Sequence, residues 1–240
     1  MTARQVQAGD TTSRATWSPR ARPPAGPAVA VAAVALVALL VLSVLVATDR
    51  TVPLDDWARQ LFRPHDHWGD LQVRVDTVVE GLRPRNSVAL LVVVTAVVAV
   101  VRRSWWPVVS VAAVGAAGAL LTLVLKGVVG RVDTHGDLGS LSGSYPSGHV
   151  VMVLLLAGCT VLLVREHPGP LAWSLVGLAG AVMAWALLVQ TAHWLTDVLG
   201  AVLIGVVVLS LAPRLPFRRT TGPGAPPPDG RSPAPPTTPR

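Results

Sequence analysis

The residues of this 240-residue chain whose types and spacing suit chemistry fall in two short polar turns, each set against an apolar run. The first is Gly143-Ser144-Tyr145-Pro146-Ser147-Gly148-His149, which breaks straight into Val150 to Val164. Small turn-forming residues ahead of a helix make an anion site, because free backbone N–H groups and the positive end of the helix dipole point at the same place. His149 stands at its mouth. The second turn holds His193 and Asp197, four residues apart and so on one face if the segment is helical. A carboxylate behind an imidazole fixes its tautomer and stabilises the cation that forms when the ring attacks or takes a proton. Asp197 is the sole acid between Glu166 and Asp229 and opens an apolar run, where an ionisable pair is a functional feature by default.

Cations complete the set. Lys126, the only lysine, and Arg131, five residues on, can neutralise phosphate oxygens, whereas the plainer readings are a snorkelling lysine and a solvated loop arginine. Two histidines, two cations and a helix N-terminus together point to phosphoryl transfer through a phosphohistidine, one imidazole attacking phosphorus and the other protonating the leaving oxygen. A metal site is the competing chemistry. His-x3-Asp with one distant histidine, and neither cysteine nor a glutamate cluster beside them, is a thin ligand set, so no metal and no cofactor is expected. Cys159 lies within an apolar run and reads as packing.

The elements that must position these residues are apolar. With 51% hydrophobic and 14% charged residues, the chain is too greasy for an ordinary soluble domain and reads as an integral membrane protein. The +7 net charge comes from 19 arginines and one lysine, many in the two tails, which suits anionic lipid headgroups rather than nucleic acid. Residues 1–27 read as a disordered basic arm and 213–240 as a Pro-rich disordered tail. Between them, 28–212 divides into six spans: 28–47, 87–101, 105–125, 150–164, 171–192 and 198–212. The first has 20 residues, longer than a signal-peptide core of about 7–15, and is read as retained. The polar interval 49–86 carries seven acids and six arginines, with Val75, Val78, Val79 and Leu82 spaced for an amphipathic surface helix or a lid. Six spans place both termini on one side, and alternation puts 49–86, 126–149 and 193–197 together on the other. Arg102, Arg103, Arg165, Arg214, Arg218 and Arg219 mark the terminal side as cytoplasmic.

Tyr145-Pro146-Ser147-Gly148-His149 and His193-Trp194-Leu195-Thr196-Asp197-Val198-Leu199-Gly200 resemble the second and third signatures of the type 2 phosphatidic acid phosphatase family, lipid phosphatases related to vanadium haloperoxidases. Lys126-Gly127-Val128-Val129-Gly130-Arg131 resembles the opening of the first. The resemblance covers about residues 105–212. It implies an all-α membrane helical bundle with His193 as nucleophile, Asp197 as its orienting partner and His149 as acid for the leaving group. It also implies that Lys126, Arg131, Ser147 and the Gly148 N–H hold the phosphate at the outer membrane face, without a metal.

Two positions depart from the family pattern. Asp133-Thr134 stand where a second arginine and a proline are usual, and Ala186-Leu187 where the third signature carries Ser-Arg. Each charge-assisted contact is worth about 1.5–3 kcal/mol, so a pocket short of two guanidiniums binds a dianion more weakly. Arg83 and Arg85 are candidate substitutes. His135 and Asp137 read as plain loop residues, and His65, His67 and His167 have no partner at a telling spacing. The expectation is a multi-pass cell-membrane phosphatase that acts on a lipid phosphate or diphosphate, with an impaired lipid-phosphate-binding protein as the alternative. A small transporter is weaker, since the ionisable groups cluster at span ends.

Overall fold

In the computed structural model, which describes residues 26–136 and 143–218, every regular element among the described residues is helical. The basic arm, the Pro-rich tail beyond 218, Asp137 and Arg219 lie outside the described residues. Eight α-helices follow in order: α1 Gly26–Ala47, α2 Val52–Phe62, α3 Asp70–Gly81, α4 Pro84–Arg102, α5 Trp106–Val129, α6 Gly148–Val164, α7 Pro170–Val189 and α8 Leu195–Leu211. Short 3-10 turns at Pro64–Asp66 and Ala212–Arg214 follow α2 and α8.

The helices α1, α4, α5, α7 and α8, the last extended by its 3-10 turn, are long and apolar enough to cross a membrane. The sixth apolar helix, α6, has 17 residues, about the shortest length that spans a hydrocarbon core. It is the centre of the bundle, packed against α4, α5, α7 and α8, while α1 lies along α8. Leu155, Leu163, Cys159 and Val150 of α6 are fully buried and join Met183, Leu187, Ile204 and Leu39 in one core. Outward faces stay apolar: Val34 on α1, Val100 and Val101 on α4 and Leu171 on α7 are among the most exposed side chains. Helices greasy on every side are at home in lipid, where association rests on close packing rather than on escape from water.

The interval 49–86 folds into two helices rather than one. The expected amphipathic helix is α3, with Val75 and Val79 buried against α7, although Val78 faces outward. Preceding it, α2 packs against α7 and α8. The other revision concerns His193. It is not on a helix: α7 ends at Val189, and α8 begins at Leu195 with Asp197 in its first turn. Asp197 therefore meets His193 from a helix start, where its carboxylate also accepts the free backbone N–H of Trp194 at 3.1 Å.

Candidate active site

Both polar turns arrive at the same end of the bundle, and the chain bonds them to each other. The Ser147 N–H donates to the Asp197 carbonyl at 3.0 Å, joining the start of α6 to the start of α8. Tyr145 secures the turn from behind. Its ring is fully buried, its hydroxyl lies 2.9 Å from Ser43 Oγ on α1, and it packs so closely on Gly200 of α8 that a Cβ there would stand 2.7 Å from the ring. At the turn's other end Gly143 adopts a φ of 136°, and a Cβ on it would press on the Arg131 backbone at 3.1 Å. Only glycine meets both demands. The Ser144 N–H and hydroxyl donate to the carbonyls of Arg131 and Val132, which ties the turn to the segment just after α5.

On that frame, His149 and His193 face each other with ring centroids 6.3 Å apart and planes inclined at 67°. His193 Nδ1 lies 3.2 Å from Asp197 Oδ2, so any nucleophilic role would fall to Nε2. Asp197 is fully buried and its other oxygen, Oδ1, accepts from Arg131 at 3.1 Å. Lys126 is buried near the end of α5, where its ammonium donates to the Gly143 carbonyl. The Ser147 hydroxyl is buried and has no hydrogen-bond partner among the described residues, and a Cβ on Gly148 would meet none of their atoms within 4 Å. An orphan hydroxyl and an open space above the first N–H groups of α6 are what an anion site requires. Lys126, Ser147, Gly148, His149, His193 and Asp197 are thus drawn to one place.

Arg131 reaches the same place but is already engaged. Its guanidinium donates to Asp197 Oδ1, to the Thr196 hydroxyl at 2.7 Å and to Asp55 Oδ2 at 2.7 Å, and it lies over the Trp194 ring at 5.1 Å. Two carboxylates share one positive charge. Asp55 is the principal residue that the sequence reading missed. It is 1% exposed on α2, and it accepts from the Thr196 N–H at 2.9 Å and from the Thr196 hydroxyl. A signal for it existed: Asp55 shares the inward face of α2 with Ala58 and Phe62, and an acid on an apolar stripe needs a buried partner. Arg63 was missed as well; it donates to the Gln190 carbonyl and to the Thr191 hydroxyl, clasping the bend that leads to His193.

The positions that depart from the family pattern are explained locally. Asp133 Oδ1 accepts the His135 N–H at 2.8 Å within its own loop, and the Thr134 hydroxyl donates to the Thr191 carbonyl, tying that loop to the bend before His193. Ala186 and Leu187 are buried in the apolar core. Of the two candidate substitutes, Arg85 is exposed, whereas Arg83 pairs with Glu80 and lies close enough to His149 for its charge to act on that ring. Among the described residues no group of three or more His, Cys, Asp or Glu side chains is arranged to hold a metal ion.

Comparison with known proteins follows the same lines. The sequence profile of the PAP2 superfamily matches residues 86–221, more than half of the chain. Among solved structures, the crystal structure described as the first transmembrane PAP2 type phosphatidylglycerolphosphate phosphatase from Bacillus subtilis superposes with a TM-score of 0.65 at 18% identity. The match covers 76% of this chain and 94% of that one. No curated protein sequence gives a significant match.

Proposed function

Because the chain belongs to the PAP2 superfamily and carries that family's membrane fold, we propose that it is a lipid phosphatase working through a phosphohistidine on His193. The observation that carries this reading is the pair of imidazoles 6.3 Å apart, one backed by a buried carboxylate and the other at the start of α6. At that separation one tetrahedral phosphoryl group meets both rings. The phosphate is held by Lys126, the Ser147 hydroxyl and the Gly148 N–H, with the shared charge of Arg131 behind them.

The lone pair on His193 Nε2 forms a bond to phosphorus as the bond from phosphorus to the lipid oxygen breaks. His149 gives its proton to that oxygen, and the lipid leaves as an alcohol, or as a monophosphate if the substrate is a diphosphate. Water then attacks phosphorus, His149 takes its proton, and the N–P bond breaks to release inorganic phosphate. Asp197 stabilises the positive imidazole throughout. The substrate class is a phosphatidate-like or polyprenyl lipid phosphate or diphosphate, drawn from the bilayer to the extracytoplasmic face, with both termini in the cytoplasm.

Purified protein in detergent is expected to release phosphate from at least one of phosphatidate, phosphatidylglycerolphosphate and a polyprenyl diphosphate. His193→Ala and His149→Ala should each remove that activity. Inactivity of the wild type across such a panel refutes the enzyme reading. The engagement of Arg131 by two carboxylates and the apolar Ala186-Leu187 favour a second reading, a protein that binds lipid phosphate without turnover, which the same panel separates by binding without release.

A further inference from the structure

We propose that Asp55, on α2 and outside the residues that the family profile matches, is a positioning residue that keeps the carboxylate behind His193 net negative. The proposal rests on the phosphatase reading for its kinetic consequences, but its physical content lies in one buried chain of contacts. Asp55 Oδ2 accepts from Arg131, Arg131 donates to Asp197 Oδ1, and Asp197 Oδ2 meets His193 Nδ1, at 2.7, 3.1 and 3.2 Å. The two carboxylates are 1% and 0% exposed, and the arginine side chain 12%. Water therefore screens these charges little, and their sum matters.

An arginine paired with Asp197 alone would cancel its charge, and a neutral pair is a poor partner for an imidazole that becomes cationic as it takes phosphorus. With Asp55 in place, the trio of Asp55, Arg131 and Asp197 carries one net negative charge, and that charge lies against His193. Asp55 also fixes where it lies. Its other oxygen receives the N–H of Thr196, the residue before Asp197, and the Thr196 hydroxyl reaches both carboxylate oxygens, so the first turn of α8 is fastened to α2. Asp55 and His193 also line the same small polar cavity, with Arg59 and Thr134. α2 therefore belongs to the catalytic unit.

The test removes one charge and then balances it. In Asp55→Asn the trio becomes neutral; in Asp55→Asn with Arg131→Gln it regains one net negative charge, and the two amides can bond to each other. Asp55→Asn is expected to lower kcat about tenfold or more while KM changes by less than about threefold, because the loss falls on the transition state. The double variant should recover most of that kcat, with a higher KM from the lost cation. Nitrogen resonances of labelled histidine should show His193 held as its Nδ1–H tautomer in the wild type, losing that preference in the single variant and regaining it in the double. Melting temperature and gel filtration establish that each variant is folded.

A purely structural Asp55 gives the opposite pattern, with the double variant as slow as the single or slower and the tautomer not regained. That result overturns the proposal, as does wild-type kcat in Asp55→Asn. The tautomer reading needs no turnover, so an inactive wild type refutes the phosphatase reading while still deciding the role of Asp55.

Discussion

In the proposed site Lys126 and Ser147 would offer a phosphate two different kinds of contact, and their losses should differ accordingly. Lys126 brings a full charge to a buried position, and a charge-assisted bond is worth about 1.5–3 kcal/mol. Lys126→Met is therefore expected to lower kcat/KM about ten- to a hundredfold, mostly through KM, in assays on the responsive lipid. Ser147 brings a neutral hydroxyl, worth about 0.5–1.5 kcal/mol, or about two- to tenfold. Its effect on stability has the other sign. The hydroxyl is buried without a partner among the described residues, so Ser147→Ala should leave the melting temperature unchanged or higher even as activity falls. A lower melting temperature would mean that Ser147 holds the turn rather than the substrate. At this scale the gathering of His149, His193, Asp197, Lys126 and Ser147 at one end of the bundle was legible, because polar residues set against apolar runs announce themselves. Asp55 was not. Its partner Thr196 lies 141 residues away, and a pairing at that separation is set by how α2 docks, which no local spacing encodes.

The elements bring the two turns together by close approach, and α8 shows how little room there is. Gly200 faces the buried Tyr145 ring, with a virtual Cβ 2.7–2.8 Å from three of its atoms. Tyr145 cannot retreat: it is fully buried, hydrogen-bonded to Ser43 and followed directly by the turn through Ser147 to His149. Overpacking of this kind costs about 1–3 kcal/mol. Gly200→Ala should therefore lower both the melting temperature and activity, since the strain is passed to Ser147 through Pro146. Gly158→Ala is the control: its Cβ would meet only the flexible end of Leu209, away from the site. It should lower stability with little change in KM. Equal damage to activity from both would show that the turn is not held by Tyr145. The spans and α3 were readable from hydropathy and period. The start of α8 was not, because Asp197 caps the Trp194 N–H and so begins the helix three residues before the apolar run.

For the whole molecule, the bundle has two chemically distinct ends. The end that holds the candidate site collects α2, α3, the loop after α5 and the starts of α6 and α8. At the other end Arg102 donates to the carbonyls of Leu163 and Phe217, and Arg218 to that of Val164. Alternation of spans dictates this grouping, and the helix ends obey it. Which end faces out is a matter of charge. The far end carries Arg102, Arg103, Arg165, Arg214 and Arg218 with Glu166 the one acid among them, whereas the six arginines of 49–86 are offset by seven acids. By the positive-inside tendency, we propose that the end carrying His149 and His193 faces outside. The chain supplies its own clean background for a test, because its single cysteine, Cys159, is fully buried in α6. His67 and His135 are exposed at the end that holds the candidate site, and Glu166 is exposed in the turn between α6 and α7. In intact cells, a membrane-impermeant maleimide should label His67→Cys and His135→Cys at once and Glu166→Cys only after the membrane is opened. The reverse pattern would put the site in the cytoplasm and confine its substrates to the inner leaflet. Labelling of all three from outside would instead break the six-span topology on which the shared face of His149 and His193 depends.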